Sequence, residues 1–147
     1  RNYDYYEPKT THDSSLSPSI YSIIAAEIGY NDDAYNYFLQ TARLDIDDYN
    51  ENAYQGLHTA CMGSNWMVLV QGFAGMRNYN GELSFDPYLP NKWTGYDFKI
   101  KYRGNLLEVH VKEEHTEYQL LEGTQINFKH KDKKVVLDKK DDNIQVK

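Results

Sequence analysis

The stretch YDFKIKYRGNLLEVHV (Tyr96–Val111) decides the fold class. Tyr96, Phe98, Ile100 and Tyr102 alternate with polar residues, and Leu107, Val109 and Val111 do the same. A period of two puts one side-chain set on each face of a strand. Between the two runs sits Arg103-Gly104-Asn105, a short turn whose glycine can take positive φ. The segment therefore reads as an antiparallel hairpin with one buried face. Further short strands fit residues 82–86, 116–121, 126–130 and 134–138, with Gly123 and the KDKK run (131–134) as punctuation. The tail, DKKDDNIQVK (138–147), reads as frayed. This half is most simply an antiparallel β-sandwich.

Upstream of NYNG (78–81) the period is 3.6. Ser17-Pro18 reads as an N-cap followed by proline in the first helical position, where its missing N–H costs nothing. Ile20, Ile23, Ile24 and Ile28 follow at helical spacing, and Gly29 supplies a stop. A second helix starts at Asn31-Asp32, with Ala34, Tyr35, Phe38, Leu39 and Ala42 as its apolar positions. A third pattern runs from about Leu57 to Met76 through Trp66, Leu69, Val70 and Phe73. Residues 1–16 read as irregular, and LDIDDYNENAYQG (44–56) as a long acidic loop, of the length that in compact domains is functional or disordered. The fold class is α+β, with helices in residues 1–80 and strands in 81–147.

Composition breaks at the same place. Residues 1–80 carry 4 basic and 10 acidic side chains, while residues 81–147 carry 12 of each. Ten of the 14 tyrosines lie in the first part. Neither part is basic, which argues against sheathing of a nucleic-acid backbone. The lone Cys61 allows no internal disulfide, and no Cys/His ligand spacing is present, so no metal site is expected. No apolar run approaches the roughly 20 residues of a membrane span. A cytoplasmic setting is the expectation. The start, Arg1–Tyr6, reads as the middle of a longer chain, so a fragment is expected.

Three stretches hold candidate chemistry. In THDSSLSP (11–18), Ser14 and Ser15 precede a helix start, whose free N–H groups attract anions. Serines at such a place also serve simply as caps, and sequence alone leaves both readings open. His58, in GLHTACMG (56–63), stands at the next helix start, where it could donate to an anion or be structural. Asp45, Asp47 and Asp48 lack the glycine and terminal glutamate of an EF-hand loop and read as solvated. Glu7, Glu27 and Glu51 could be acid–base groups, though nothing around them selects one. Trp66 and the tyrosines could stack on sugars, yet their helical spacing reads as core. His110, His115 and His130 read as surface residues.

Taken in order, YYEPKTTHDSSLSP (5–18), TARLDIDDYN (41–50), GLHTACMGSNWMVLVQGFAGMR (56–77), LSFDPYLPNKWTGYDFKIKYRG (83–104) and LLEVHV (106–111) resemble the C-terminal part of glycoside hydrolase family 65. That family contains inverting phosphorylases of maltose, kojibiose, nigerose and trehalose. TARLDIDDYN is most similar to the maltose-cleaving branch. The resemblance implies that residues 1–80 are the last helices of an (α/α)6 catalytic barrel and residues 81–147 a small C-terminal β-sandwich.

It also implies a reaction. Inorganic phosphate, as substrate, attacks the anomeric carbon of an α-linked glucose disaccharide, and a glutamic acid protonates the leaving oxygen. The phosphate contacts implied are the paired serines of the H-x-S-S motif, Ser14 and Ser15, and the histidine of G-L-H, His58. His12 takes a supporting role. The family's general acid lies in a Gly-Pro-Glu motif that residues 1–147 do not contain, so no catalytic residue is assigned here and the fragment alone is expected to be inactive. The implied partners are the remainder of the parent enzyme and, in the full-length protein, a second copy in a homodimer. No cofactor is implied. Helices cut from a closed ring would expose apolar faces, so self-association or a longer parent is expected. The competing reading is a non-catalytic β-sandwich module that binds carbohydrate or stabilises a partner domain.

Overall fold

The computed structural model describes residues 2–147. The chain divides into two compact units between Phe73 and Ala74, ahead of the composition change near residue 80. The first unit is helical and the second consists of two sheets, so the α+β class holds.

The helical unit contains α1 (Asn2–Tyr6), α2 (Ser17–Glu27), α3 (Asn31–Ala42) and α4 (Thr59–Met67). A 3-10 turn, Glu7–Lys9, follows α1, so residues 2–9 are helical rather than irregular. A π-helical stretch, Val68–Phe73, continues α4. Helix α2 packs through its small residues. Ser19, Ser22 and Ala25 are fully buried, and the Ser22 hydroxyl donates to the Ala34 carbonyl at 2.6 Å. Gly72 of the π-helical stretch lies against Ile23, whose Cα would stand 3.6 Å from a Cβ at that position, an ordinary van der Waals contact.

The isoleucines at helical spacing lie mostly outside this packed face. Ile20, at 48% exposure, Ile24 and Ile28 form a stripe open to solvent, and Trp66 and Met67 of α4 are exposed too. Close backbone approach needs small residues, so the larger apolar side chains are turned outward. That stripe is the exposed apolar face expected of helices separated from their neighbours. Among the described residues no helix is long and apolar enough to cross a membrane.

The second unit has strands β1 (Arg77–Tyr79), β2 (Glu82–Phe85), β3 (Gly95–Tyr102), β4 (Asn105–Lys112), β5 (Thr116–Glu122), β6 (Ile126–His130), β7 (Lys133–Leu137) and β8 (Asn143–Val146). One sheet has the order β1-β2-β6-β7 and the other β3-β4-β5-β8. All pairings are antiparallel except β2 with β6, which is parallel. The Tyr96–Val111 hairpin forms in the register its alternation implies, Tyr96 opposite Val111 and Tyr102 opposite Asn105. Arg103 and Gly104 both take positive φ, 49° and 82°, the primed-turn geometry that matches strand twist. Asn80-Gly81 makes the same kind of turn and joins β1 to β2. The tail is not frayed, because β8 pairs with β5.

The two sheets meet through aromatic rings. Phe85 of the first sheet lies 5.4 Å from Tyr118 and 6.4 Å from Phe98 of the second, and Tyr118 lies 4.7 Å from Phe128. Rings of this size carry much of the buried apolar area of a small core. His130 is not a surface residue. It is 2% exposed, and its Nδ1 meets the Tyr118 hydroxyl at 2.8 Å. Burial, reinforced by Lys131, holds its pKa below the usual imidazole value and raises that of Tyr118, so both stay neutral in the core.

Gly75 opens the second unit at φ 57°, and a Cβ there would stand 2.6 Å from the Asp86 carbonyl oxygen. Gly63, inside α4, has nothing within 4 Å of its virtual Cβ. Thus Gly75→Ala is expected to cost about 2 kcal/mol or more, from a left-handed residue plus a backbone clash. Gly63→Ala should instead gain up to about 1 kcal/mol through helix propensity. Chemical denaturation of the two variants would check this, and an equal effect of both would contradict it.

Candidate functional site

The loop Thr10–Leu16 is fixed from three directions. His12 has φ 55°, an uncommon conformation for a residue with a side chain, and its ring is held on both edges. Nδ1 lies 2.8 Å from the Ser17 hydroxyl and Nε2 lies 3.1 Å from the Tyr37 hydroxyl. Tyr37 gives its only proton to Glu7 Oε1 at 2.6 Å. Its oxygen must therefore accept from His12 Nε2–H, and a neutral ring then accepts the Ser17 proton at Nδ1. The direction of the chain is Ser17 to His12 to Tyr37 to Glu7. Burial and the adjacent Glu7 carboxylate push the Tyr37 pKa up and keep that phenol protonated.

The His12 ring also meets Tyr21 edge-on at 4.7 Å and Tyr37 at 5.1 Å. So His12 faces into the tyrosine layer between α2 and α3. It orders the loop from behind rather than lining its outer face.

Ser17 is not the cap. Leu16 occupies the N-cap position of α2, Ser17 is the first helical residue, and no side chain caps the helix. The Ser17 hydroxyl is taken up by His12, and the Ser19 hydroxyl returns to the Leu16 carbonyl at 2.7 Å. Ser14 is exposed. Its hydroxyl accepts the Leu16 N–H across a long 3.4 Å, while its carbonyl accepts the Ser17 N–H.

Ser15 is partly buried, and its carbonyl accepts the Cys61 thiol at 3.2 Å. Cys61 lies in the first turn of α4, three residues after the N-cap His58. That contact ties the serine loop to the start of α4 across 46 residues of chain. Among the described residues, the Ser15 hydroxyl has no hydrogen-bond partner.

His58 is clamped by a residue whose role was not legible in the sequence. Asp45 accepts the His58 backbone N–H through Oδ2 at 2.9 Å and approaches ring Nδ1 through Oδ1 at 2.5 Å. The two side chains are 15% and 22% exposed. A carboxylate offers only acceptors, so Nδ1 must carry the proton. The His58 bonds, the ring bond first, hold the Asp45 pKa below the usual carboxylate value. Asp45 is thus not a solvated loop residue.

The loop that carries Asp45 is built rather than loose. Arg43 holds Asp47 through two hydrogen bonds, Leu44 is buried, and Asp48 Oδ1 accepts the Ala53 N–H. An aspartate 13 residues ahead of a histidine has no fixed-spacing signature, so only tertiary structure brings the pair together.

Two family models align to this chain. Residues 1–67 match the central catalytic domain of glycosyl hydrolase family 65, and residues 76–137 match the C-terminal domain of the same family. The chain belongs to glycoside hydrolase family 65. Among its family-65 relatives, it is 52% identical over 139 residues to the alpha,alpha-trehalose phosphorylase of Thermoanaerobacter brockii, covering 95% of this chain and 18% of that protein. It is 44% identical to the maltose phosphorylase of Bacillus subtilis (strain 168), covering 93% of this chain and 18% of that one.

Its backbone also follows a solved family-65 protein, assigned as a kojibiose phosphorylase from the human microbiome. The TM-score is 0.89 at 39% identity, over 98% of this chain and 21% of that one. The chain thus spans less than a fifth of the length of the curated family-65 relatives quoted.

If the His12 ring orders the serine loop, His12→Ala should lower the stability of residues 1–147 by about 1–3 kcal/mol, the scale of two hydrogen bonds lost from a partly buried site. Equilibrium denaturation followed by tyrosine fluorescence would measure this. A variant of unchanged stability would mean the loop is held by other contacts.

Proposed function

We propose that this chain carries the phosphate-holding part of an inverting disaccharide phosphorylase, with Ser14, Ser15 and His58 as the phosphate contacts. Residues 1–80 would be the last helices of an (α/α)6 barrel completed by upstream chain, and residues 81–147 the C-terminal sandwich. The observation that carries the reading is the Cys61–Ser15 contact, because it brings the serine loop to the helix start where His58 stands. Neutral hydroxyls, the Nε2–H of an imidazole ring carrying both protons and a helix N-terminus are donors suited to an oxyanion.

In inverting hydrolysis, a carboxylate base activates a water on the face of the sugar opposite the acid. In phosphorolysis, phosphate itself is the nucleophile, and a bare carboxylate in that place would repel it. The Asp45 carboxylate beside His58 has both oxygens engaged by that histidine. Attack by phosphate on an α-linked glucoside, with protonation of the leaving oxygen by an acid from upstream chain, gives β-glucose 1-phosphate and a free sugar.

The substrate class proposed is an α-linked glucose disaccharide. TARLDIDDYN favours maltose, while the higher identity to a trehalose phosphorylase than to a maltose phosphorylase favours trehalose. In the full-length parent, Ser15→Ala or His58→Ala should raise KM for phosphate by about 10- to 100-fold, the scale of a lost charge-assisted hydrogen bond. Melting temperature should stay near that of the parent. Initial rates with maltose, trehalose and kojibiose across a phosphate series would test this and rank the sugars together. Residues 1–147 alone should release no glucose 1-phosphate from any of them. Unchanged phosphate dependence in both variants would favour the non-catalytic module.

A further inference from the structure

The Asp45–His58 pair has a geometry that capping alone does not require. An N-cap interaction needs one acceptor for one backbone N–H. Asp45 supplies that through Oδ2 and uses its second oxygen on the ring of the same residue. Backbone and imidazole of His58 are thereby fixed by one rigid carboxylate, which leaves the ring no freedom to turn without breaking a charge-assisted bond. Because Nδ1–H faces Asp45, Nε2 is the ring atom on the opposite edge.

The loop beneath is stiffened independently of His58. Arg43 and Asp47 form a two-bonded pair, Tyr49 N–H returns to the Leu44 carbonyl, and Leu44 is buried. Asp45 therefore sits on an anchored turn, so the histidine is positioned by the loop rather than the reverse.

We propose that Asp45 is a positioning residue for phosphate: it orients His58 so that Nε2, a donor when the ring carries both protons, is presented to the anion beside Ser15. This rests on the reading of His58 and Ser15 as phosphate contacts. Asp45 touches neither phosphate nor sugar and acts only through His58. Its carboxylate also balances the charge of the ring whenever that ring carries two protons against a phosphate dianion. Arg43, Asp47 and Asp48 surround the pair in sequence, but their side-chain hydrogen bonds are to one another and to Ala53.

The test is a double-mutant cycle in the full-length parent enzyme, with Asp45→Asn, His58→Ala and the two combined. Asparagine keeps an acceptor for the His58 backbone N–H, so that bond survives while the carboxylate on the ring is lost. Asp45→Asn is expected to raise KM for inorganic phosphate about tenfold or more, with KM for the disaccharide within about twofold of the parent. In the His58→Ala background the same change should have no further effect on phosphate KM.

An Asp45→Asn effect that persists without His58, or no effect at all while His58→Ala weakens phosphate, would overturn the positioning role. If His58→Ala and Ser15→Ala both leave phosphate KM unchanged, the phosphate site itself is wrong. Should Asp45→Asn fail to fold, Asp45→Glu replaces it. Glutamate keeps the charge but displaces it by one methylene, and a phosphate KM equal to the parent's would then count against the proposal.

Discussion

Small side chains on one face of α2 set the rest of the helical unit. Ser19, Ser22 and Ala25 let α3 approach the α2 backbone closely, with the Ser22 hydroxyl bonding directly to the Ala34 carbonyl. A larger residue at any of these positions would force the elements apart, and interiors packed at this density do not absorb such a change locally. The start of α2 is fixed by that packing. The serine loop just ahead of it is fixed in turn, through Ser17, His12 and Tyr37.

The candidate site then depends on two polar contacts of long sequence separation. One joins the Cys61 thiol to the Ser15 carbonyl and the other joins Asp45 to His58. Neither is a strong stabiliser of the fold by itself. Their consequence is positional, since a site for a small anion requires donors held at defined places before the anion arrives. A buried lone cysteine has an ordinary structural explanation here, as a small hydrophobe with a weak donor, and nothing about it calls for redox chemistry.

The sheet unit was legible in the sequence because its signals are local. Alternation and a two-residue turn containing glycine define the Tyr96–Val111 hairpin without reference to anything distant. Other features were hidden for physical reasons. The parallel pairing of β2 with β6 is non-local, and β8 looks like a charged tail because only Ile144 and Val146 carry its apolar pattern. In the helical unit, the isoleucine stripe of α2 was visible as a pattern, but which helix face is buried depends on partners, and here the small residues won. Ser14, Ser15 and His58 could be singled out by motif. Asp45 could not, because its role comes from a loop folding back 13 residues onto a histidine.

We propose above all that an oxyanion is bound where the serine loop meets the start of α4. The most direct measurement is a crystal structure of the full-length parent enzyme grown with inorganic phosphate. Density for phosphate within hydrogen-bond distance of the Ser14 and Ser15 hydroxyls and His58 Nε2, with Asp45 still on Nδ1, is the predicted result. Phosphate bound in the active site away from these residues would contradict it.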